Sequence, residues 1–240
     1  MAAPVWSVVI PAHNEAARLP GFLDEVVTHL EGRGDAWEVI VADDGSTDGT
    51  ADLVERAARQ HPSVRLVRLA ENQGKGAAVR AGMLAASGEY RLFADADGAT
   101  PVAELKRLEP ALAMGADIVI ASRVLVDPAI VVVARPHRVF LGRIFNWLVA
   151  RLGLRGVADS QCGFKLFRAE AATRLFAELR TRGFGFDVEL LLRAQRAGYR
   201  IVEVPVNWTD QPGSKVGVLT DGPRMIAQIV RARLSLGRRP

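Results

Sequence analysis

The stretch FADADGATP, Phe93–Pro101, sets Asp95 and Asp97 one residue apart directly after an apolar run. Along an extended strand, positions i and i+2 project the same way. Two carboxylates held that close repel unless a cation or a shared proton neutralises them. Mg2+ and Mn2+ take carboxylate oxygens and complete their shells with water and substrate phosphate, so one or two protein carboxylates suffice. The competing reading is a solvated turn, because D-x-D recurs widely by chance. The position after an apolar run and before Gly98 favours the metal site.

Three further polar clusters stand in the same relation to apolar runs: AHNE from Ala12, DDGSTD from Asp43 and NQGKG from Asn72. Asp44, with Asp43 as its competitor, is a carboxylate able to accept hydrogen bonds from a base or ribose. Lys75, between Gly74 and Gly76, is a donor on a backbone free to approach a phosphate. Taken singly, DDGS is a good turn and helix cap, and NQGKG a good loop. Neither G-x-x-x-x-G-K-[ST] nor G-x-G-x-x-G occurs, which excludes an ordinary P-loop ATPase and a dinucleotide oxidoreductase. Cys162 has no evident histidine partner and reads as a small buried thiol rather than a nucleophile.

The elements that must position these residues alternate along the first half. VWSVVIPA, WEVIVADDGS, VRLVRLA, EYRLFADAD and ADIVIASR read as five strands. Helical patterns lie between them over 15–30, 47–60, 77–86 and 102–114. Strands alternating with helices imply a parallel sheet covered on both faces. In such sheets ligands bind outside the carboxyl ends of the strands, where all four polar clusters fall. The second half is less regular. PAIVVVARPHRVFLGRIFNWLVARLG predicts one or two amphipathic helices, DSQCGFKLFRAEAA a short strand entering a helix, and GFGFDVELLLRAQRAG a loop entering another. YRIVEVPVNW predicts a strand, TDQPGSKVG a loop, and Gly222 to Leu236 a final helix.

Forty-nine per cent hydrophobic residues among 240 supports a sizeable single core, and 24% charged residues is ordinary for a soluble chain. The net charge of +4 suits phosphate-bearing ligands or an anionic membrane surface, and equally a GC-rich genome's preference for arginine codons. It is too small, with no recognition motif, to predict nucleic-acid binding. One cysteine excludes an internal disulfide and a multi-thiolate metal site and fits a reducing compartment. No basic and apolar leader follows Met1, and arginines interrupt the most apolar segment, so neither a signal peptide nor a clean span is expected.

SVVIPAHNEAARL, VIVADDGSTDGT, NQGKGAAVRAG and FADADGATP together resemble the successive motifs of family 2 glycosyltransferases with the GT-A fold. The later DSQCGFKLF, GFGFDVELLLRAQRAGY and VPVNW…PGSKV resemble the branch that makes polyprenyl-phosphate sugars, which includes dolichyl-phosphate glucosyl- and mannosyltransferases. The resemblance runs from about residue 5 to 217. It implies a GT-A, Rossmann-like, mostly parallel sheet flanked by helices in a single domain over 1–220, with an amphipathic helix and basic tail over 221–240. His13 stands where many relatives have tyrosine.

The resemblance also implies roles. Pro11, Ala12, His13 and Glu15 border the nucleotide, Asp44 meets its base or ribose, and Lys75 lies near it. Asp95 and Asp97, on either side of Ala96, hold Mg2+ or Mn2+ on the diphosphate. Ser214 and Lys215 close over the leaving group from a loop hinged at Gly213, and Lys215 neutralises its charge. Asp159 faces sugar or acceptor, with Asp187 and Glu189 as competing carboxylates; Asp187 and Glu189 do not share a helix face. Arg123, Arg138 and Arg143 meet the acceptor phosphate, the last two competing with a role as lipid-facing snorkels.

The expected activity is inverting transfer of a hexose from a nucleotide sugar to a polyprenyl phosphate. DSQCGFK favours glucose, hence UDP-glucose, over GDP-mannose. The alternatives are a soluble acceptor and a non-catalytic nucleotide-sugar-binding regulatory module. The expected location is cytoplasmic, peripheral on the membrane face.

Overall fold

The computed structural model describes residues 3–213 and 218–237, apart from the side chains of 136–141, 143 and 218–221. Its main sheet has seven strands. In chain order they are β1 (Trp6–Ala12), β2 (Trp37–Asp43), β3 (Val64–Arg68), β4 (Tyr90–Ala94), β5 (Ile118–Ser122), β7 (Phe164–Arg168) and β8 (Ile201–Pro205). Their spatial order is β3-β2-β1-β4-β7-β5-β8. A small second sheet pairs β6 (Val132–Val133) with β9 (Trp208–Thr209).

All main-sheet pairings are parallel except those of β7, which runs antiparallel to both β4 and β5. Strand–helix alternation predicts parallel strands, and β7 departs because its approach differs. The chain leaves β5, passes through β6 and helix α5 (Pro136–Arg151), and starts β7 at the end of the sheet where β4 finishes. The amino end of β7 therefore lies beside Asp95, whose N–H donates to Gly163 O at 2.9 Å.

Both faces of the sheet are buried, as its period-two pattern requires. Val8, Ile10, Val39, Val41 and Leu92 face a core closed by α1 (Leu19–Glu31), α2 (Thr50–Gln60) and α4 (Leu105–Ala113). Val9, Ile40, Phe93 and Phe167 face a second core, closed by α3 (Lys75–Ala85), α6 (Ala169–Glu178), α7 (Phe186–Ala197) and one side of α8 (Val218–Ser235). Helix α1 buries Leu19, Phe22, Leu23, Val26, Val27 and Leu30 at helical spacing.

Several helix starts differ from the sequence pattern, for local reasons. Helix α1 begins at Leu19 rather than Glu15. Glu15 is occupied by a turn in which its carbonyl accepts from Arg18 and Leu19, and Pro20 suits the first helical turn. Helix α2 begins three residues late because Asp48 catches the Thr50 N–H at 3.1 Å. The segment after β5 forms one helix, α5, preceded by the two-residue β6. YRIVEVPVNW breaks into β8 and β9 after Pro205.

Candidate active site

The loops after β1, β2 and β3 are laced into one rim. Asn14 N donates to Ser46 Oγ at 2.9 Å, Thr47 N to Asn14 Oδ1 at 2.8 Å, and Glu15 N to Thr50 Oγ1 at 2.9 Å. Asn14 takes φ 52° to make these contacts. His13 Nδ1 lies 2.8 Å from Asp44 O, which can only accept, so Nδ1 carries the proton there; Nε2 accepts from Asn72 Nδ2 at 2.9 Å. Gly45, at φ 67°, lets the β2 loop touch the β3 loop: a Cβ there would lie 2.6 Å from the Glu71 carbonyl carbon.

Asp44 is buried, and its two oxygens accept from Gln73 N and Gly74 N, each at 2.8 Å. In this structure the carboxylate expected at the base or ribose anchors the NQGKG loop and fixes where Lys75 starts α3. Asp43 is also buried and occupied, by Ser46 N and the Arg68 guanidinium. Pro11 and Ala12 are buried within β1, at the strand end from which the rim loop starts. Both Glu15 oxygens receive Arg18, at 2.7 and 2.6 Å.

Asp95, Ala96 and Asp97 belong to a turn rather than to the strand, which ends at Ala94. The turn still brings both carboxylates to the crevice, with their side chains 32% and 26% exposed. Lys75 Nζ lies 2.7 Å from Asp95 Oδ1. Asp97 Oδ1 accepts from Ala99 N at 3.1 Å, and Arg18 Nη1 stands 3.7 Å from its Oδ2. A Cβ on Gly163 would lie 2.0 Å from Asp95 Oδ2, so only glycine leaves room for that carboxylate. Burial raises the Asp97 pKa, and the negative charge of Asp95 raises it further. Burial pulls Lys75 down, but Asp95 and then Asp187 outweigh it, leaving Lys75 above its ordinary value.

These residues fit a hard divalent cation. Two like charges share one half-buried turn with oxygen donors alone. Among the described residues no group of three or more His, Cys, Asp or Glu side chains could hold a metal by itself, so the rest of a shell would come from substrate phosphate and water.

On the other side of the crevice, Arg123 and Asp159 are each other's partners. Arg123 Nε and Nη2 donate to the two Asp159 oxygens at 2.7 and 2.8 Å, and Arg123 N donates to Oδ2 at 2.9 Å. Glu203 on β8 holds this turn by accepting from Ala158 N and Asp159 N at 2.6 and 2.8 Å. Burial pushes the Asp159 pKa up, but the Arg123 charge overrides it and leaves the carboxyl low. The sequence expectation put Arg123 at the acceptor phosphate and Asp159 facing sugar or acceptor; in the structure the two are paired with each other.

Asp187 is buried at the start of α7, where Lys165 Nζ donates to Oδ1 at 2.5 Å. Burial raises its pKa, with Lys165 and then Lys75 opposing. Glu189 points elsewhere, accepting from Arg180 N, Thr181 N and Arg193 Nε. Cys162 is buried and its thiol is pushed up to about 12, mainly by burial, which fits an inert thiol.

Arg138 and Arg143 fall on α5, with side chains outside the described residues, and Ser214 and Lys215 also lie outside them. The described part of their loop does reach the crevice: Arg18 Nη1 donates to Pro212 O at 3.3 Å. Arg18, Asn72, Gly163 and Lys165 were not singled out from sequence. For Lys165 the signal was present, as a lone charge within the apolar run CGFKLF.

Comparison with known proteins adds the following. The Glycosyl transferase family 2 profile matches residues 7–176. A dolichyl-phosphate beta-glucosyltransferase of Dictyostelium discoideum is 40% identical over 239 residues, covering 95% of this chain and 73% of the relative. The Homo sapiens dolichyl-phosphate beta-glucosyltransferase is 40% identical over 223 residues, covering 88% and 69%. One from Trichomonas vaginalis is 42% identical over 220 residues, and there the chain spans 65% of the relative's length. Among solved structures, Mycobacterium tuberculosis glucosyl-3-phosphoglycerate synthase in complex with Mn2+ and UDP-glucose superposes with TM-score 0.69. That match has 25% identity and covers 97% of this chain and 78% of the other.

Proposed function

The chain belongs to glycosyl transferase family 2, and from that premise we propose that it transfers glucose from UDP-glucose to a polyprenyl phosphate, with inversion and with Mg2+ or Mn2+ bound at Asp95 and Asp97. It is a glycosyltransferase with a mostly parallel GT-A-type sheet. The observation that carries the finer reading is the turn Asp95–Asp97. It presents two carboxylates where four strand-end loops meet, with Lys75 against one of them.

The reaction forms a bond between the acceptor phosphate oxygen and the sugar's anomeric carbon and breaks the bond from that carbon to the diphosphate. A lipid monophosphate is already an anionic nucleophile near neutral pH, so no carboxylate has to remove a proton from it. That agrees with Asp159, both of whose oxygens accept from Arg123, and with Asp187, whose Oδ1 accepts from Lys165. A bound cation would supply charge neutralisation on the leaving diphosphate. Lys75 orients the donor beside Asp95, the His13–Asn72 rim flanks its base, and the role of neutralising the leaving diphosphate is assigned to Lys215 by the family resemblance. Arg138 and Arg143, in the α5 sequence, are assigned to the acceptor phosphate by the family resemblance.

Support for a lipid-borne acceptor comes from the relatives and from the surface. Val126 is 96% exposed, Val131 64% and Trp147 57%, apolar side chains contributed by the segment before β6 and by α5. No helix among the described residues is long and apolar enough to cross a membrane; the attachment proposed is peripheral, on the cytoplasmic face.

A second reading, a soluble phosphorylated acid as acceptor, is favoured by the likeness to glucosyl-3-phosphoglycerate synthase. The test is transfer of labelled glucose from UDP-glucose, with GDP-mannose as competing donor, to a polyprenyl phosphate in detergent or to 3-phosphoglycerate. Metal-dependent lipid labelling from UDP-glucose is expected. Labelling of 3-phosphoglycerate alone would replace the lipid reading, and labelling from GDP-mannose alone would replace the donor.

A further inference from the structure

We propose that Lys165 is a positioning residue of the donor site: anchored to Asp187, it sets how firmly Lys75 holds the Asp95 carboxylate that the cation must take. This rests on the reading of Asp95 and Asp97 as the cation's ligands.

Lys165 lies in the middle of the sheet, fully buried, directly opposite Phe93 in the antiparallel β4–β7 register. A lysine there is unfavourable unless its charge is matched and its protons are bonded. Its Nζ donates to Asp187 Oδ1 at 2.5 Å and to Cys162 O at 2.6 Å. The Phe93 ring lies close to two ammonium groups: Lys165 Nζ is 5.7 Å from its centroid and Lys75 Nζ 5.5 Å. Lys75 then reaches Asp95 Oδ1 at 2.7 Å. Four charges of alternating sign thus run from the crevice into the core: Asp95, Lys75, Asp187 and Lys165. The negative charge of Asp187 is felt at Lys75, second only to that of Asp95.

This order gives Lys75 two tasks. Without a cation its ammonium stands in for one on Asp95. When a cation takes Asp95, Lys75 must yield that oxygen, and Asp187 is the second anion it can lean toward. Lys165 fixes Asp187 in the place where it can do this, although Lys165 touches neither donor nor acceptor.

The double variant Lys165→Met/Asp187→Asn removes both buried charges together and strands neither, so it should fold where a single charge deletion would not. The probe is Mn2+ alone, titrated against wild type and variants, with free Mn2+ read by electron paramagnetic resonance and folding by thermal melting. Asp97→Ala defines binding elsewhere on the surface. Wild type should bind Mn2+ above that background. The double variant should bind about tenfold more weakly at a near-unchanged melting temperature, because Lys75 is left with Asp95 and Asp97. Lys75→Met should bind more tightly than wild type, and adding it to the double variant should abolish the loss. Wild-type Mn2+ affinity in a folded double variant would make Lys165 merely structural. Unimproved affinity in Lys75→Met would remove the stand-in account. Wild-type binding no better than Asp97→Ala would overturn the two-carboxylate reading, and this inference with it.

Discussion

Asp95 and Asp97 are separated by one alanine, yet their surroundings differ. Asp95 is held by Lys75 and by the space above Gly163, whereas Asp97 has the Ala99 N–H and a more distant Arg18. Replacing Asp97 with alanine should lower kcat/KM at least roughly a hundredfold, about 3 kcal/mol of lost charge stabilisation. The fold should persist by circular dichroism, because no element depends on that side chain; near-normal turnover would remove Asp97 from the metal site. Gly163→Ala reaches the same turn from the opposite side. Its Cβ has no room beside Asp95 Oδ2, so activity should fall as in Asp97→Ala, with about 1–3 kcal/mol of stability lost in denaturant titration. The Arg123–Asp159 pair carries a pH signature. The folded pKa of Asp159 is lowered, so its stabilisation is complete above the unfolded value near 3.8 and disappears as pH falls through the folded one. Asp159→Asn should therefore cost about 3–5 kcal/mol near pH 7. Its melting curve should converge on that of wild type in acid, and a constant gap across pH would contradict the assignment.

At the scale of elements, the crevice depends on loops that touch through backbone. Gly45→Ala would push the β2 loop off Glu71 and Asn72, and with them the Asn72–His13 contact. It should raise the KM for the nucleotide sugar more than it lowers kcat, with about 1–3 kcal/mol of destabilisation; steady-state kinetics with a melting curve separates the two effects. The strand ends carrying these loops were legible because apolar runs stop at polar turns in step, four times over. The antiparallel direction of β7 was not legible. Residue alternation reports that a segment is a strand and which faces it buries, but not which way it runs between its neighbours. For the same reason Asp159 could be recognised as a carboxylate near the site but not as the partner of Arg123, since the two meet only through that topology. Helix starts slipped where side chains made local bonds, as Glu15 with Arg18 and Asp48 with Thr50, which propensity alone does not register.

At the scale of the whole molecule, Val126 and Val131 before β6 and Trp147 on α5 are exposed apolar side chains offered for membrane contact. Val126→Asp combined with Trp147→Ala should reduce flotation with anionic vesicles several-fold. Transfer to polyprenyl phosphate embedded in those vesicles should fall with it, while transfer to a short-chain acceptor in detergent holds; unchanged flotation would assign membrane contact to another face. This exposure was half legible, in that the sequence showed a basic and apolar segment without showing that Val126 and Val131 sit outside any helix. The late central strand bears on biosynthesis. β4 and β5 are made well before β7 yet are joined only by it, so a nascent chain that has passed β5 carries β4 and β5 with open strand edges of the kind that pair with other chains. The turn bearing Asp95 gains its neighbour Gly163 only when β7 inserts, and a ribosome stalled before Phe164 should expose an aggregation-prone intermediate unable to bind its donor. Insertion of β7 is thus the step that joins β4 to β5 and completes the turn bearing Asp95.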